Sequence, residues 1–251
     1  MKNFIREHFP RSYLVGKWLY YWLLALPYLG YGVECPCCDA HFRRFARFHG
    51  RPDICPRCWS TERHRAIFRY LTQETDLFQA HLKVLHFAPD ALERKLRAAP
   101  NLDYISADLV HPRAMEHFDI RHIPHPANSF DMILCSHVLE YIPDDRQAMS
   151  ELYRVLKPGG WALLLDPVRW DQETSYEVTD PLERKRLFGQ EGNIVRIYGR
   201  DYLDRLASVG FSVSRLPEYN QDMVLARKGT EKDSTSASAQ TSGSYNAVGN
   251  S

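Results

Sequence analysis

Glycine is scarce in this sequence of 251 residues, which contains 13 glycines and none between Gly50 and Gly159. Loops that wrap around phosphate groups usually need glycine, because it lets the backbone approach a ligand closely and adopt left-handed conformations. The central part of the chain therefore lacks the glycine-rich loop of most nucleotide-binding proteins.

Excess charge is missing too, since the net charge is +1 and the pI is about 7.7. No strong overall basic field is available to attract nucleic acid. Hydrophobic residues make up 44% of the chain and charged residues 25%, which is ordinary for a globular protein and excludes wholesale disorder and a multi-pass membrane protein. The six cysteines are too few for a disulfide scaffold at this length.

A long apolar run is also absent, although residues 1–32 form a hydrophobic, amphipathic segment. Its apolar part, Trp18 to Leu29, is interrupted by Pro27 and is shorter than the roughly 20 residues that span a bilayer. Three interpretations stay open: a helix docked on the protein's own core, an interfacial helix in peripheral contact with a membrane, and a signal peptide. At the other end, the Ser- and Thr-rich residues 229–251 predict a disordered tail.

Four of the six cysteines form two C-x-x-C pairs, which predict a zinc ribbon over residues 33–61. Sixteen residues separate Cys38 from Cys55, and the pairs are Cys35 with Cys38 and Cys55 with Cys58. Two thiolates on a tight turn can bind one ion, and two such turns complete a tetrahedron. Two disulfides, an iron–sulfur cluster and a ribbon without metal are the alternatives.

The ribbon sequence is locally basic and aromatic. Between His41 and Arg69 it has eight arginines against Asp53 and Glu62, with phenylalanines and Trp59 interleaved. Arginines with aromatic rings are typical of RNA-stacking surfaces, but a small ribbon also needs its aromatic residues for packing. Ser60 or Thr61 can cap a helix that is predicted over residues 62–80 and links the ribbon to the rest of the chain.

Residues 81–228 predict an α/β domain, because apolar strand patterns alternate with helical patterns. The expected architecture is a mostly parallel, doubly wound sheet. The predicted strands cover residues 82–87, 102–107, 117–120, 130–135, 161–165, 211–216 and 223–226. The predicted helices cover residues 91–98, a segment starting at Asp144 or Asp145, and a segment around 203–207.

Polar residues follow the predicted strands, and ligands of such sheets bind beyond the carboxyl ends of the strands. Asp108 ends the second strand, 22 positions after His86, where a carboxylate can hold both hydroxyls of a ribose. Asp119, at the third strand, can accept a hydrogen bond from an adenine amine. His137, after the fourth strand, is the candidate catalytic base.

Two stretches carry a resemblance to a known family. Residues 128–145 read NSFDMILCSHVLEYIPDD, and residues 151–160 read ELYRVLKPGG. They resemble the class I S-adenosylmethionine-dependent methyltransferases, closest to the subgroup often labelled type 11. Residues 55–65 (CPRCWSTERHR), 85–90 (LHFAPD), 188–190 (FGQ) and 195–199 (VRIYG) are similar to a narrower set that carries an N-terminal zinc ribbon.

The resemblance implies a Rossmann-like class I methyltransferase fold with a mostly parallel seven-stranded sheet, a four-cysteine zinc ribbon, and S-adenosylmethionine and Zn²⁺ as cofactors. Residues 170–200, with Tyr176, Arg196 and Tyr198, would fold over the acceptor. The implied cofactor-binding residues are His86, Ala88, Pro89, Asp90, Asp108, Leu109, Asp119, Ile120, Ser136 and His137. The sequence departs from most of the class at the first loop, where Ala88 and Pro89 replace glycine.

The expected function is methyl transfer to a small-molecule or glycan acceptor, with His137 as the base. One alternative is an enzyme that methylates bases of ribosomal or transfer RNA through the basic ribbon. Another is a non-catalytic binding module that keeps only the fold. The expected location is the cytoplasm, with peripheral contact at the inner face of the membrane through residues 1–32 as an open alternative.

Overall fold

The computed structural model describes residues 23–48, 50–188 and 193–230. The expectations for most of the N-terminal segment, for the tail from residue 231 and for Gly189 and Gln190 lie outside these ranges. The chain divides into two units. The first comprises residues up to Asp76 together with Asp90–Ala98, and the second comprises Leu77–Pro89 with the residues from Ala99 onward.

The first unit contains two short antiparallel hairpins. Their strands are β1 (Leu29–Cys35), β2 (Ala40–Phe42), β3 (Ala46–Phe48) and β4 (Arg51–Ile54), paired as β1 with β2 and β3 with β4. The turn after β1 carries the first cysteine pair, and the turn after β4 carries the second. The first cysteine pair thus lies at the turn of one hairpin, and the second pair directly follows the other hairpin.

Two helices complete the first unit: α1 (Glu62–Gln73) and α2 (Glu93–Ala98). Thr61 is the N-cap of α1, as the sequence predicts. The helix ends at Gln73, seven residues before the predicted end at residue 80. Around its end the hydroxyl of Thr72 donates to the carbonyl of Phe68, and that of Thr75 donates to the carbonyl of Leu71. Such side-chain bonds compete with the backbone ladder of a helix.

The second unit is built on a six-stranded sheet. Its strands are β5 (Leu82–Phe87), β6 (Leu102–Ala107), β7 (Phe130–Ser136), β8 (Leu156–Leu165), β11 (Ser212–Arg215) and β12 (Met223–Arg227). Their order in the sheet is β11-β12-β8-β7-β5-β6. Strands β6, β5, β7 and β8 are parallel, whereas β12 runs antiparallel to both β8 and β11. The remaining elements are α3 (Asp145–Val155), β9 (Tyr176–Glu177), α4 (Pro181–Phe188), β10 (Arg196–Ile197) and α5 (Tyr202–Ser208).

The expectation of seven strands is wrong, because the predicted strand over residues 117–120 does not form. Only Glu116 makes an isolated bridge, to Ala107. Side chains of α3 hold the following loop instead. The guanidinium of Arg154 donates to the carbonyls of Ile123 and His125, and the carboxylate of Glu151 accepts from the amide of Ile123. The apolar residues of this segment, whose pattern suggested a strand, lie in a loop and pack against the rest of the unit from there.

Strands β5, β7 and β8 form the core of the second unit, and their carboxyl ends lie at one edge of the sheet. Phe87 pairs with Ala107 on one side and with Cys135 on the other, and Cys135 in turn pairs with Leu164. Cys135 is fully buried, and burial raises the pKa of its thiol, so it is an unreactive core residue. The loops that follow β5, β6, β7 and β8 therefore meet at this edge.

No helix within residues 23–48, 50–188 and 193–230 is both long enough and apolar enough to cross a membrane.

Candidate functional site

The thiols of Cys35, Cys38, Cys55 and Cys58 converge in the first unit, and all four sulfur atoms lie within 4.8 Å of one another. Two of the separations, Cys35 to Cys58 and Cys38 to Cys55, are 3.7 Å. A tetrahedral zinc ion with Zn–S bonds of about 2.3 Å requires sulfur atoms roughly 3.8 Å apart. The cluster therefore has the dimensions of a closed four-thiolate zinc site, and these residues could hold that ion.

All six cysteines are free thiols, which argues against the interpretation of two disulfides. Cys37 is buried but lies outside the group of four that could hold a metal. The hydroxyl of the buried Ser60 lies 3.2 Å from both the Cys35 and the Cys58 sulfur. A hydroxyl in this position can hydrogen-bond to sulfur atoms that bind a metal and so orient them. The cysteine spacing alone does not indicate this role.

The aromatic residues of the ribbon largely pack against one another. The rings of Phe48 and Trp59 are stacked with centroids 4.8 Å apart, and the Arg65 guanidinium lies 3.9 Å from the centre of the Phe45 ring. Arg44 and Arg47 remain exposed and line a cavity of ≈ 360 Å³. This part of the chain thus has a basic surface. The two rings best suited to stack on a base, Phe48 and Trp59, stack on each other instead.

Asp108 stands directly after β6 at the carboxyl edge of the second unit. One carboxylate oxygen, Oδ1, accepts from the amides of Val110 and His111, both at 2.8 Å. The other oxygen, Oδ2, accepts no hydrogen bond from the part of the chain that the structure describes. The half-buried carboxylate is therefore fixed by its own loop and keeps one oxygen for a ligand.

Asp119 is bound by a neighbouring side chain. The Arg121 guanidinium donates to Oδ2 at 2.6 Å and to Oδ1 at 3.1 Å, and the Arg121 amide adds a further bond to Oδ1 at 2.9 Å. These hydrogen bonds hold the pKa of Asp119 below its usual value. A ligand amine has to share this carboxylate with Arg121 or displace it.

The loop after β5 shows how the chain manages without glycine. Ala88 has a φ of 50°, in the left-handed region that favours glycine, and its amide donates to the carbonyl of Ala107. Pro89 follows with its fixed φ. The preceding His86 is fully buried within β5, and its Nδ1 lies 2.8 Å from the hydroxyl of Tyr104. The structure thus places His86 inside the sheet rather than at its edge.

The end of β7 brings together the two groups that are best placed for chemistry. The hydroxyl of Ser136 is buried and finds no hydrogen-bond partner among the residues described. His137 has a φ of 54°, and its Nδ1 lies 2.9 Å from Oε1 of Glu140. If Nδ1 carries the proton that Glu140 accepts, Nε2 is left as a proton acceptor.

A buried carboxyl group accepts hydrogen bonds from the backbone of this turn. Asp166, directly after β8, accepts from the amides of Val138 and Glu140 through Oδ1 and from the Tyr202 hydroxyl through Oδ2. It is fully buried, and this burial raises its pKa to about 6, with a smaller contribution from Glu140. Asp166 therefore fixes the backbone that carries the His137–Glu140 pair.

Two residues that were expected to cover an acceptor are buried anchors instead. Arg196 contacts the carboxylates of Asp145 and Glu177 and donates to the carbonyls of Ile142 and Pro143. The Tyr198 hydroxyl donates to Asp145 at 2.9 Å. Tyr176 differs, because it is exposed and lines a cavity of ≈ 520 Å³ with Arg169 and Ser175.

The carboxyl edge of the second unit thus collects Ala88, Asp108, Ser136 and His137. Other predicted cofactor residues are placed differently: Leu109 is exposed, Ile120 is buried in the core, and Asp90 belongs to the first unit. The contacts of Glu140 and Asp166 do not follow from the sequence alone. The i, i+3 spacing of His137 and Glu140 is the signal that could have paired them.

Comparisons with known proteins support a methyltransferase domain. A family model described as a methyltransferase domain matches residues 68–164. The demethylmenaquinone methyltransferase of Listeria welshimeri is 34% identical over 88 residues, which cover 35% of each chain. A probable S-adenosylmethionine-dependent methyltransferase of Mycolicibacterium smegmatis is 36% identical over 89 residues, which cover 33% of this chain and 35% of the relative.

Among solved structures, an S-adenosylmethionine-dependent methyltransferase from Mesorhizobium loti is similar with a TM-score of 0.46 and 16% identity, covering 65% of this chain and 98% of the other. The chain spans about a third of the length of the curated relatives that it matches. The domain match and the names of these relatives indicate that this part of the chain resembles a methyltransferase domain.

Proposed function

We propose that this protein is an S-adenosylmethionine-dependent methyltransferase that acts on a small-molecule acceptor and carries a structural zinc ion in its N-terminal ribbon. The main observation behind the proposal is that the region matched by the family model also contains the side chains best placed to bind a ligand. The matched region, residues 68–164, contains β5, β6 and β7, and the side chains with free polar atoms, Asp108 and Ser136, lie at the carboxyl ends of β6 and β7. Open α/β sheets bind their ligands at this edge.

The residues present fit the cofactor at its ribose. Oδ2 of Asp108 is available to accept from the ribose hydroxyls, while Oδ1 keeps its bonds to the loop. The buried Ser136 hydroxyl offers a second unused polar atom. Asp119 would receive the adenine amine in competition with Arg121. When bound, the cofactor supplies a methyl group that its sulfonium already activates, so the protein mainly has to align the two reactants.

His137 acts as the general base in this proposal. Glu140 holds the imidazole through Nδ1, so Nε2 can take the proton of an acceptor hydroxyl. Glu140 is a positioning residue, and Asp166 holds the turn on which both side chains stand. The relatives named demethylmenaquinone methyltransferases make a quinol-type small molecule the first acceptor to assay.

The zinc ion has a structural role in this proposal, because four thiolates complete a tetrahedron and leave no coordination position for a substrate. The supporting observations are the sulfur separations of 3.7 Å and the Ser60 hydroxyl beside two of the sulfurs. A two-hairpin ribbon has little apolar core of its own, so the ion stabilises its fold.

Calorimetric titration of the full-length protein with S-adenosylhomocysteine tests the cofactor site. Asp108→Asn keeps an oxygen for the loop amides but replaces the free carboxylate oxygen with an amide, so we expect affinity to fall on the order of 100-fold. Asp103→Asn alters an exposed carboxylate on the same strand and should bind like the parent protein. Equal affinity in all three proteins, or no binding to the parent, would contradict the proposed site.

RNA is a second candidate acceptor, favoured by the exposed Arg44 and Arg47 beside the ≈ 360 Å³ cavity. The stacking of Phe48 on Trp59 argues against it, because these ring faces are not both available to bases. Absorbance at 260 nm of the purified protein separates the two cases. Nucleic acid that co-purifies, and is lost in an Arg44→Glu/Arg47→Glu double variant, would favour RNA over a small molecule.

A further inference from the structure

One cavity of the second unit has a positively charged side chain without a partner. The cavity has a volume of ≈ 520 Å³, and Arg169, Thr174 and Tyr176 are among the residues that line it. Arg169 is exposed, and its guanidinium forms no hydrogen bond or ion pair with any residue in 23–48, 50–188 and 193–230. The Thr174 hydroxyl is equally unused in the part of the chain that the structure describes. Both groups are available to a ligand.

The wall of this cavity is fixed by contacts within the same unit. The amide of Asp201 donates to the carbonyl of Glu173 at 2.9 Å. The Asp201 carboxylate accepts from the Ser175 amide at 2.7 Å and from the Ser175 hydroxyl at 2.6 Å. Gly199 passes so close that a Cβ there would lie 2.6 Å from the carbonyl carbon of Thr174. The cavity is therefore formed before any ligand arrives, as ligand sites in proteins usually are.

The cavity adjoins the turn that carries His137. Tyr176 and Ile197 pair in the hairpin of β9 and β10, and both line the cavity. Two residues before Ile197, the amide of Val195 donates to the carbonyl of Glu140 at 3.0 Å. An extended chain advances roughly 3.3 Å per residue, so the cavity begins about 7 Å from the backbone of Glu140. The Glu140 carboxylate contacts the imidazole that is the proposed base, so an acceptor hydroxyl has to lie close to this cavity.

The charges that line the cavity favour one class of ligand. An unpaired guanidinium binds a carboxylate or a phosphate through two parallel hydrogen bonds. Arg169 is the one cation among the lining residues, and Glu173 is the one acid, so a phosphate with two negative charges would be repelled by Glu173. The Tyr176 ring and Ile197 offer apolar surface to the body of a small molecule. A partly apolar molecule with a single carboxylate fits these residues best.

We propose that this cavity recognises the methyl acceptor, and that the acceptor is a hydroxylated small molecule with one carboxylate, which the Arg169 guanidinium binds. This inference rests on the proposed function and narrows its substrate class. Binding of the carboxylate at Arg169 holds the rest of the molecule beside the His137 turn, and such alignment is the main task of the protein in methyl transfer. A quinol-type ring with an acidic side chain meets these requirements, whereas an uncharged quinol leaves Arg169 without a partner.

Titration of the full-length protein with para-hydroxyphenylacetate and with its uncharged methyl ester tests the recognition of a carboxylate. The two probes share the phenol and differ in charge. With S-adenosylhomocysteine bound, the parent protein should bind the acid on the order of tenfold more tightly than the ester. Arg169→Gln keeps a long polar side chain without its charge, so it should lose this preference and bind the ester like the parent. A preference that persists in Arg169→Gln would overturn the inference.

Arg146→Gln is the matched control, because it removes an equal charge from an exposed arginine of the same unit that does not line the cavity. It should keep the tenfold preference for the acid. Equal losses in Arg146→Gln and Arg169→Gln would show a general effect of charge and would contradict the role of Arg169.

NMR spectra locate the bound acid. The backbone amide resonances of Thr174 and Ser175 should shift when the acid is added to the parent protein and should stay in place in Arg169→Gln. Shifts confined to residues outside the cavity, or release of S-adenosylhomocysteine by the acid, would show that the acid binds elsewhere.

Failure of this inference and failure of the proposed function give different results. A parent protein that binds S-adenosylhomocysteine but binds acid and ester equally well overturns the inference and leaves the proposed function intact. A parent protein that does not bind S-adenosylhomocysteine contradicts the proposed function, and the assignment of this cavity to an acceptor falls with it.

Discussion

The buried carboxyl of Asp166 should make the stability of the second unit depend on pH. Its pKa rises from 3.8 to about 6 in the folded protein, mainly because burial disfavours the charged form. Between these two values the folded state therefore binds more protons at this group than the unfolded state, and stability falls as the pH rises through that window. The full effect corresponds to about 3 kcal/mol, of which about 1.4 kcal/mol falls between pH 5 and pH 8.

Asp166→Asn isolates this contribution. The side-chain amide oxygen of the variant can still accept from the backbone amides of Val138 and Glu140. Its NH2 group replaces Oδ2 opposite the Tyr202 hydroxyl, and this replacement changes the free energy of unfolding by the same amount at every pH. Relative to the parent protein, the variant should therefore gain about 1.4 kcal/mol of unfolding free energy on going from pH 5 to pH 8. Protonation of the ribbon thiols affects both proteins alike and cancels in the difference.

Urea unfolding of both proteins at pH 5, 6, 7 and 8, followed by tryptophan fluorescence, measures this difference. Asp171→Asn, which changes an exposed carboxylate in the segment after β8, controls for the general effect of removing one charge. A difference between parent and Asp166→Asn that stays constant across the series would refute the assignment of a raised pKa to this buried group. A variant that instead loses unfolding free energy relative to the parent between pH 5 and pH 8 would show that the pKa of Asp166 is not raised.

Three further outcomes are expected from the contacts described. The purified protein should contain one zinc ion per chain by elemental analysis; Cys38→Ser should lose it, and Cys37→Ser, outside the group of four, should keep it. Tyr198→Phe removes the bond to Asp145 and should lower the free energy of unfolding in urea by about 1 kcal/mol. Arg154→Ala removes the hydrogen bonds to two carbonyls of the loop that lies where a strand was expected. Backbone amides of residues 117–125 should therefore exchange hydrogen faster in the variant. Unchanged exchange would show that the loop does not depend on this side chain.

Local patterns in the sequence predict the strands of the core well, because each of these strands is a mostly apolar segment between polar turns. The parallel strands at 82–87, 102–107 and 130–135 form almost as expected, and Asp144 caps α3 as its position indicates. The thiol cluster is also predictable from spacing, since two C-x-x-C turns restrict where four sulfurs can lie.

The errors arise where tertiary contacts override local preference. His117 to Ile120 has a strand-like composition, but Glu151 and Arg154 on α3 take up the polar backbone groups of the following residues. No local pattern encodes such a partner, because it lies about thirty positions away.

The contacts of His64, Asp90 and Glu140 could not be predicted for a similar reason. A histidine or carboxylate read from sequence alone is a candidate ligand, and only coordinates show that Asp90 faces His64, or that Glu140 is buried against His137. The same holds for Arg196 and Tyr198, whose buried contacts also could not be predicted from the sequence. These residues were expected to cover an acceptor, but their side chains form hydrogen bonds within the fold.

A crystal structure of the zinc-loaded full chain with S-adenosylhomocysteine tests the cofactor site most directly. We expect both ribose hydroxyls within hydrogen-bond distance of Asp108 Oδ2, with the thioether sulfur in the space beyond Ser136 and His137. Density for the ligand elsewhere, or a filled zinc site beside an edge of the sheet that stays empty at saturating ligand, would contradict the proposed function.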